Sequence, residues 1–162
     1  MAGKEISFSD NEFIVSKTDT KGKITYGNEL FIKMSGYKEG EILHQPHNIL
    51  RHADMPKVIF KYLWSQIEAK REVFAYVVNQ TKSKDYYWVF AHITPSIDEN
   101  GKIIGFHSAR RKPKNRALEI IKPLYRELLI FGLYHKEIKA LKRYPYTIFL
   151  KDPNDTVSSR NE

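Results

Sequence analysis

Apolar residues recur along the chain with two different spacings, one typical of strands and one typical of helices. Segments with a spacing of two are the predicted strands. In these stretches β-branched and aromatic side chains recur at alternate positions, and the turns 19–23, 81–85 and 98–101 separate several of them. The predicted strands cover residues 13–18, 24–26, 72–80, 86–95 and 102–111. Because short turns join the last three, we expect them to form an antiparallel meander.

The helical period fills the interval between the second and third strands. Asn28 opens a short amphipathic helix that Gly36 ends, and shorter helical stretches are predicted over 39–43 and 48–50. A long helix follows, with Asp54 as its predicted N-cap because that carboxylate can accept from free backbone N–H groups. The apolar stripe of this helix runs through Met55, Val58, Ile59, Tyr62, Leu63 and Ile67.

This order of elements predicts an α+β domain, with a five-stranded antiparallel sheet that carries helices on one face. After residue 112 the helical period returns, and we expect Pro123 to restart the helix and Gly132 to end it, with a further short helix over 134–143. The predicted divisions are an N-terminal segment 1–11, the sheet domain 12–112, a C-terminal helical extension 113–143 and an irregular tail 144–162.

Composition narrows the classes of function. The chain has 162 residues, 41% of them hydrophobic, which is enough for one compact core. It has no cysteine, so disulfides, thiolate catalysis and cysteine metal sites are excluded. No apolar run is long enough to cross a bilayer, and the N-terminus has no apolar signal region. We therefore expect a cytoplasmic protein without direct membrane insertion.

The formal net charge of +8 would suit nucleic acid or an acidic membrane surface. Most basic residues are interleaved with acidic ones, however, and the one dense cluster lies where the last strand runs into a helix. This cluster consists of Arg110, Arg111, Lys112, Lys114 and Arg116. We interpret it as a solvated linker and expect no nucleic-acid partner.

Several short motifs carry a resemblance to a known family. The most specific is the run Arg51-His52-Ala53-Asp54-Met55-Pro56 before the long helix. It is accompanied by Met34-Ser35-Gly36-Tyr37, Gln45-Pro46-His47-Asn48, Trp64, Asn79 and Tyr87-Trp88-Val89. Together these motifs resemble the PAS domains of aerotaxis and energy-taxis receptors. The resemblance implies the PAS fold, with FAD bound without covalent attachment and read as an indicator of respiratory electron flow.

The resemblance also implies a partner. No methyl-accepting signalling region follows the PAS-like part of these 162 residues, so the chain resembles the stand-alone PAS component of a bipartite energy-taxis system. We expect a redox sensor without enzymatic turnover that signals to a separate membrane-bound methyl-accepting transducer. That transducer would hold it at the inner membrane, and a homodimer is a second possible assembly.

An FAD site needs a slot for a flat ring and a polar partner for the pyrimidine edge of that ring. Val77 and Asn79 share one face of the third strand by alternation, and the Asn79 amide can both donate and accept. On the fourth strand we assign the face of Tyr87, Val89, Ala91 and Ile93 to the same pocket. His107, in the last strand, occupies the place where light-sensing flavin PAS domains use a polar residue near the reactive flavin nitrogen.

The pyrophosphate of FAD needs positive groups. Arg51 and His52 precede the long helix, whose N-terminal N–H groups favour an anion. Asp54 is expected to cap that helix or to contact the cofactor. Trp64 is expected to stack on the adenine or flavin, or else to pack in the core, and Asn28 to contact the cofactor or only to cap its own helix.

The opposite face of the third and fourth strands is rich in aromatic residues, namely Phe74, Tyr76, Trp88 and Phe90. So large an apolar patch is expected to be covered by the C-terminal helix, a second subunit or the signalling partner. We expect the signal to leave through this face and through the segment 110–132.

Four other functions remain to be weighed. A haem-based gas sensor has its usual axial histidine on the long helix, and residues 55–69 contain none, although His44, His47 and His52 precede them. A blue-light receptor that forms a flavin adduct needs a cysteine, which the chain does not have. A flavoenzyme or nucleotide hydrolase is disfavoured because no GxGxxG, P-loop or paired acid/base cluster appears. A ligand-free interaction module stays open.

Overall fold

The computed structural model describes residues 3–131, and within them the predicted α+β class is confirmed. The strands are β1 (Ile14–Thr18), β2 (Ile24–Gly27), β3 (Val73–Gln80), β4 (Tyr86–Ile97) and β5 (Ile103–Arg111). The helices are α1 (Glu29–Ser35), α2 (Glu39–Ile42), a 3-10 helix (His47–Leu50), α3 (Lys57–Glu68) and α4 (Asn115–Phe131). The predicted end of the last helix at Gly132, the helix over 134–143 and the tail lie outside the described residues.

The five strands form one antiparallel sheet in the order β2-β1-β5-β4-β3. The predicted meander of β3, β4 and β5 is present, and the β1–β2 hairpin joins it through the pairing of β1 with β5. The register pairs Asn79 with Tyr87 and Ala91 with Arg110. Paired residues point to the same face, so these four side chains all lie on what we call the inner face of the sheet.

Helices α1, α2 and α3 cover the inner face, and their buried side chains are those of the apolar stripes. Val58, Ile59, Leu63 and Ile67 of α3 are all buried. Helix α3 begins two residues later than predicted. Met55 N–H bonds to the His52 carbonyl in a preceding turn, and Pro56 is extended, so residues 54–56 do not enter the helix. No side chain caps α3, and the predicted capping by Asp54 is therefore wrong.

Helix α4 covers the opposite, outer face of the sheet. The ring of Tyr125 lies 5.7 Å from that of Trp88, and its hydroxyl donates to the Tyr76 carbonyl. Of the three covers predicted for the aromatic face, the C-terminal helix is the one found. Tyr76, Trp88 and Phe90 are buried, at 2%, 9% and 5% exposure.

Helix α4 also runs through Pro123 without a break, against the prediction that this residue restarts it. A proline removes one hydrogen bond to the carbonyl four residues earlier. Here that carbonyl belongs to Glu119, which is exposed, so water can satisfy it. Buried residues on both sides of Pro123 hold the helix on the sheet, namely Ala117, Ile121, Leu124, Tyr125 and Leu128.

Candidate functional site

A cavity of about 260 Å³ lies between the inner face of the sheet and helix α3. Its sheet wall is formed by Val77, Asn79, Ala91, Ile93, Phe106, Ser108 and Arg110, and its helix wall by Phe60, Leu63, Trp64 and Ile67. The remaining residues around it include Ser16, Thr18, Lys21, Gly22, Pro46, His47, Asn48, Arg51 and His107. The two walls are mostly apolar, and small side chains on the central strands leave the space between them open.

Trp64 closes one side of the cavity. Its ring meets Phe106 edge-on, with centroids 5.4 Å apart and planes at 88°. Gly22 lies beside the Trp64 ring and has a φ of 78°, a backbone conformation that favours glycine in this turn. Trp64 thus lines the cavity and also packs on the core, and its stacking on a cofactor ring stays a prediction.

The deep end of the cavity is polar, and Arg110 is at its centre. This residue is 4% exposed, although its neighbour Arg111 lies on the outer face. Arg110 Nη2 donates to Ser16 Oγ at 2.9 Å and to His47 Nε2 at 2.7 Å. Its guanidinium also lies 5.8 Å from the centre of the Phe31 ring. Contacts from β1, the 3-10 helix and α1 therefore fix one side chain of β5.

The protonation states in this cluster follow from burial and from the arginine charge. Because a guanidinium only donates, His47 Nε2 must accept, which requires a neutral imidazole. Burial and the Arg110 charge agree with this, since they lower the pKa of His47 to about 3. Burial also lowers the pKa of Arg110 to about 10, so Arg110 stays charged at neutral pH.

Three buried polar atoms have no hydrogen-bond partner among the described residues, and two of them belong to residues that line the cavity. They are Arg110 Nη1, Ser108 Oγ and Tyr87 Oη. The Tyr87 hydroxyl lies near Asn79 but without good hydrogen-bond geometry, and burial raises its pKa to about 12. Because buried polar groups are nearly always paired in proteins, these atoms indicate a place for another molecule.

Five of the predicted site residues lie around the cavity: Arg51, Trp64, Val77, Asn79 and His107. Asn79 is 4% exposed, and Arg51 pairs with it across an isolated antiparallel bridge. The Arg51 guanidinium lies 4.5 Å from the centre of the Phe60 ring, and both residues line the cavity and are partly buried. Val77 and Asn79 line the cavity on the strand face that alternation predicts, and their contact with a cofactor stays a prediction.

The three other predicted residues do not line the cavity. Asn28 caps α1, because its Oδ1 accepts from Phe31 N–H at 2.9 Å and its Nδ2 donates to the Phe13 carbonyl. The ring of His52 packs near Tyr86, and its Nδ1 accepts from Asp54 N–H at 3.0 Å. Asp54 itself is mostly exposed.

His107 has the wrong parity for the predicted role. It pairs with Thr94 on the outer-face register, whereas Phe106, Ser108 and Arg110 alternate with it on the inner face. Partial burial and the nearby Lys17 charge lower the pKa of His107. Phe106, Ser108 and Arg110 are the β5 residues whose register faces the pocket, and the last two are polar.

Sequence reasoning missed Arg110, His47, Ser16 and Ser108. Arg110 was read as part of a solvated basic linker, although the alternation that was applied to the third and fourth strands would have placed it two and four residues from Ser108 and Phe106 on one face. The contacts to Ser16 and His47 left no signal in the sequence.

None of the helices within residues 3–131 is both long and apolar enough to cross a membrane.

Comparisons with known proteins agree with this architecture. The model of the PAS fold matches residues 24–110, which is more than half of the chain. The chain is 37% identical to the aerotaxis receptor of Escherichia coli strain K12 over 120 residues, 74% of this chain and 24% of the receptor. It is 26% identical to the nitrogen fixation regulatory protein of Klebsiella pneumoniae over 97 residues, 60% of this chain and 20% of that protein. It thus spans at most about a quarter of either relative.

Solved structures with the same fold include light-oxygen-voltage (LOV) domains. The light state of the blue-light photoreceptor Aureochrome1 LOV gives a TM-score of 0.61 at 14% identity, over 73% of this chain and 93% of that one. A LOV domain studied with a flavin analogue gives 0.60 at 16% identity, over 71% and 86%. Sequence identities this low support a shared fold and nothing more. With the family match and the aerotaxis-receptor similarity, the predicted resemblance is confirmed, and the chain belongs to the PAS family.

Proposed function

We propose that this chain is a flavin-binding sensor domain that holds FAD in the inner-face cavity and reports the redox state of the flavin to a separate transducer. One observation carries the proposal. The cavity has apolar walls suited to a flat ring, and it ends in buried polar atoms that lack partners within the described residues. A heteroaromatic ring with a polar edge would pack between the apolar walls and form hydrogen bonds with the polar atoms.

The size of the cavity fits the ring part of such a cofactor. Its volume of about 260 Å³ is close to the lower end for small-molecule sites, which is about 300 Å³. A dinucleotide is larger than this, so the adenine and pyrophosphate would extend through the opening. Arg51 and the exposed Lys21 lie there and supply positive charge for a pyrophosphate. With His52 and Asp54 outside the lining, Arg51 and Lys21 take the role predicted for that motif.

Asn79 and Ser108 are two lining residues whose side chains would follow a redox change of the flavin. When bound, a flavin supplies a ring nitrogen that accepts a hydrogen bond in the oxidised form and donates one in the reduced form. The Asn79 amide offers either polarity by rotation, and the Ser108 hydroxyl can turn to donate or accept. Either motion would act on β3 or β5, which belong to the same sheet.

The imidazoles near the cavity favour flavin over haem. His47 Nε2 already accepts from Arg110 at 2.7 Å, so it has no lone pair free for iron at that atom. His107 lies on the outer-face register. The similarity to the aerotaxis receptor also supports a redox signal, and the flavin analogue used with a domain of the same fold supports the class of cofactor.

The proposed output is a separate membrane-bound methyl-accepting transducer, with no catalytic turnover by this chain. On the outer aromatic face α4 packs on Tyr76 and Trp88, so the partner predicted to dock there would meet α4 rather than these side chains. Instead, α4 follows β5 after a three-residue link and packs on the back of the same sheet. A change in β5 would therefore reach α4 directly, and α4 becomes the proposed element that passes the signal on.

The absorption spectrum of the purified protein tests the cofactor. We expect flavin bands, and mass spectrometry of the heat-released cofactor should identify FAD. An Ala91→Leu variant should fold but lose the flavin, because the larger side chain fills the slot. Thr94→Leu, on the same strand but the outer-face register, should retain it. A Soret band, or no cofactor and no uptake of added FAD by the wild type, would refute the proposal.

Co-purification with the candidate transducer tests the partner. We expect the wild type and Thr94→Leu to retain the transducer and to change its yield between oxidised and dithionite-reduced samples. Ala91→Leu should bind without responding to reduction. A transducer that responds to reduction equally with Ala91→Leu would separate the signal from the cavity.

A further inference from the structure

Arg110 is a buried positive charge without a counter-ion in the part of the chain that the structure describes. No carboxylate of residues 3–131 pairs with it, and its two polar neighbours on Nη2 are a hydroxyl and a neutral imidazole. Burial of a charge without compensation is costly, and Nη1 has no hydrogen-bond partner among residues 3–131. The side chain is thus prepared for an acceptor that comes from outside these residues.

We propose that Arg110 anchors the ring of the bound cofactor, with Nη1 donating to an acceptor oxygen or nitrogen on the ring edge while Nη2 stays on Ser16 and His47. This inference rests on the proposed function, because the acceptor is that of the flavin. It adds a ligand-binding residue at the deep end of the cavity, opposite the charges at its opening.

The position of Arg110 favours the ring over the pyrophosphate. Arg110 is 4% exposed and pairs across the sheet with Ala91, the small residue of the cavity wall. Arg51 is only partly buried and Lys21 is exposed. A ring inserted between the apolar walls would therefore present its edge to Arg110, and its phosphate chain would leave toward Arg51 and Lys21.

The Arg110 guanidinium is also held in place before any ligand arrives. Ser16 and His47 fix Nη2, and the Phe31 ring lies 5.8 Å from the guanidinium carbon. An oriented donor loses little conformational freedom on binding, which increases the affinity that it contributes. Asn79 would complement it, since the amide both donates and accepts whereas the guanidinium only donates.

Affinities for riboflavin, FMN and FAD separate a ring anchor from a phosphate anchor. We expect Arg110→Gln to weaken all three by a similar factor of about ten or more, the range for a hydrogen bond to a charged group. Arg111→Gln is the matched control, because it makes the same change on the same strand and the opposite face. It should stay within about twofold of wild type. Arg51→Gln should weaken FMN and FAD but leave riboflavin unchanged.

The results distinguish this inference from the proposed function. If the wild type binds no flavin, the proposed function fails and the inference with it. If the wild type binds and Arg110→Gln binds riboflavin within about twofold, Arg110 is not the anchor and the proposed function stands. A loss restricted to FMN and FAD would also overturn the inference, since it would place Arg110 at the phosphates.

Arg110→Gln could fail to fold, so the wild type provides a second measurement. In side-chain nitrogen NMR spectra, addition of riboflavin should shift the Arg110 Nη signals and leave those of Arg111 in place. Arg110 signals that do not move while riboflavin saturates the protein would overturn the proposal. Circular dichroism of the flavin-free variants shows which of them are folded.

Discussion

The two faces of the sheet are built from alternate residues of the same strands, yet they meet different requirements. On the outer face Tyr76, Trp88 and Phe90 are buried, the Trp88 ring lies near Tyr125 of α4, and the Tyr125 hydroxyl donates to the Tyr76 carbonyl. On the inner face the helices stand off from the central strands and leave about 260 Å³ open. There the polar atoms of Tyr87, Ser108 and Arg110 lack partners within the described residues.

This difference indicates that the outer face contributes mainly to stability and the inner face mainly to ligand binding. A close-packed face contributes stability, because every apolar atom removed from it costs transfer and cavity free energy. A face with a void and an uncompensated charge contributes less stability. It is suited to a ligand that fills the void and pairs with the charge. Substitutions on the two faces should therefore separate folding from binding.

The two tryptophans give the largest expected separation. Trp88→Ala should lower the free energy of unfolding by about 3–5 kcal/mol, because a large buried side chain is removed from the packing under α4. Flavin affinity of the folded fraction should change little. Trp64→Ala should cost less stability, since Trp64 is only partly buried, but should weaken flavin binding more.

Denaturant unfolding of the flavin-free proteins, followed by flavin titration, checks both tryptophan variants. Equal losses of stability and of affinity in the two variants would mean that the faces are not functionally distinct.

Acid should destabilise the inner face through His47. Its folded-state pKa of about 3 is below the ordinary value, so the unfolded state binds the proton more readily. The stability that this provides is complete above about pH 6.5 and is lost as the pH falls toward 3, by up to about 1.4 kcal/mol per pH unit.

His47→Gln should flatten this dependence, because it removes the buried imidazole. Unfolding midpoints measured at several pH values would show the difference between the wild type and this variant. A wild-type midpoint that does not change from pH 6.5 to 4 would contradict the lowered pKa of His47.

Substitutions of the two asparagines that were predicted as site residues should have the smallest effects, one on stability and the other on flavin binding. Asn28→Ala should cost about 1 kcal/mol of stability through loss of the α1 cap, with no effect on flavin. Asn79→Ala should weaken flavin binding by roughly 1–3 kcal/mol, because a polar edge loses its partner, while the domain stays folded. A stability loss without any loss of flavin affinity in Asn79→Ala would remove that residue from the site.

The division between faces was largely predictable from the sequence. A period of two fixes which residues of a strand share a face, whatever the strand later contacts, so Val77 and Asn79 were assigned to the pocket and Trp88 to packing. The order of elements and the short turns likewise specified the sheet. These are local properties, encoded in a few neighbouring residues.

Tertiary structure alone decided the rest, since it depends on residues far apart in the chain. Arg110 is a pocket residue because Ser16 and His47, 94 and 63 positions away, fold onto it. Asp54 does not cap α3 because the turn before Pro56 places it outside the helix. Helix α4 continues through Pro123 because the sheet holds both of its halves. The Asp54 outcome comes from a local turn. For Arg110 and for helix α4, long-range packing supplied a free energy that outweighed the local preference of one residue, and a single sequence does not display those distant contacts.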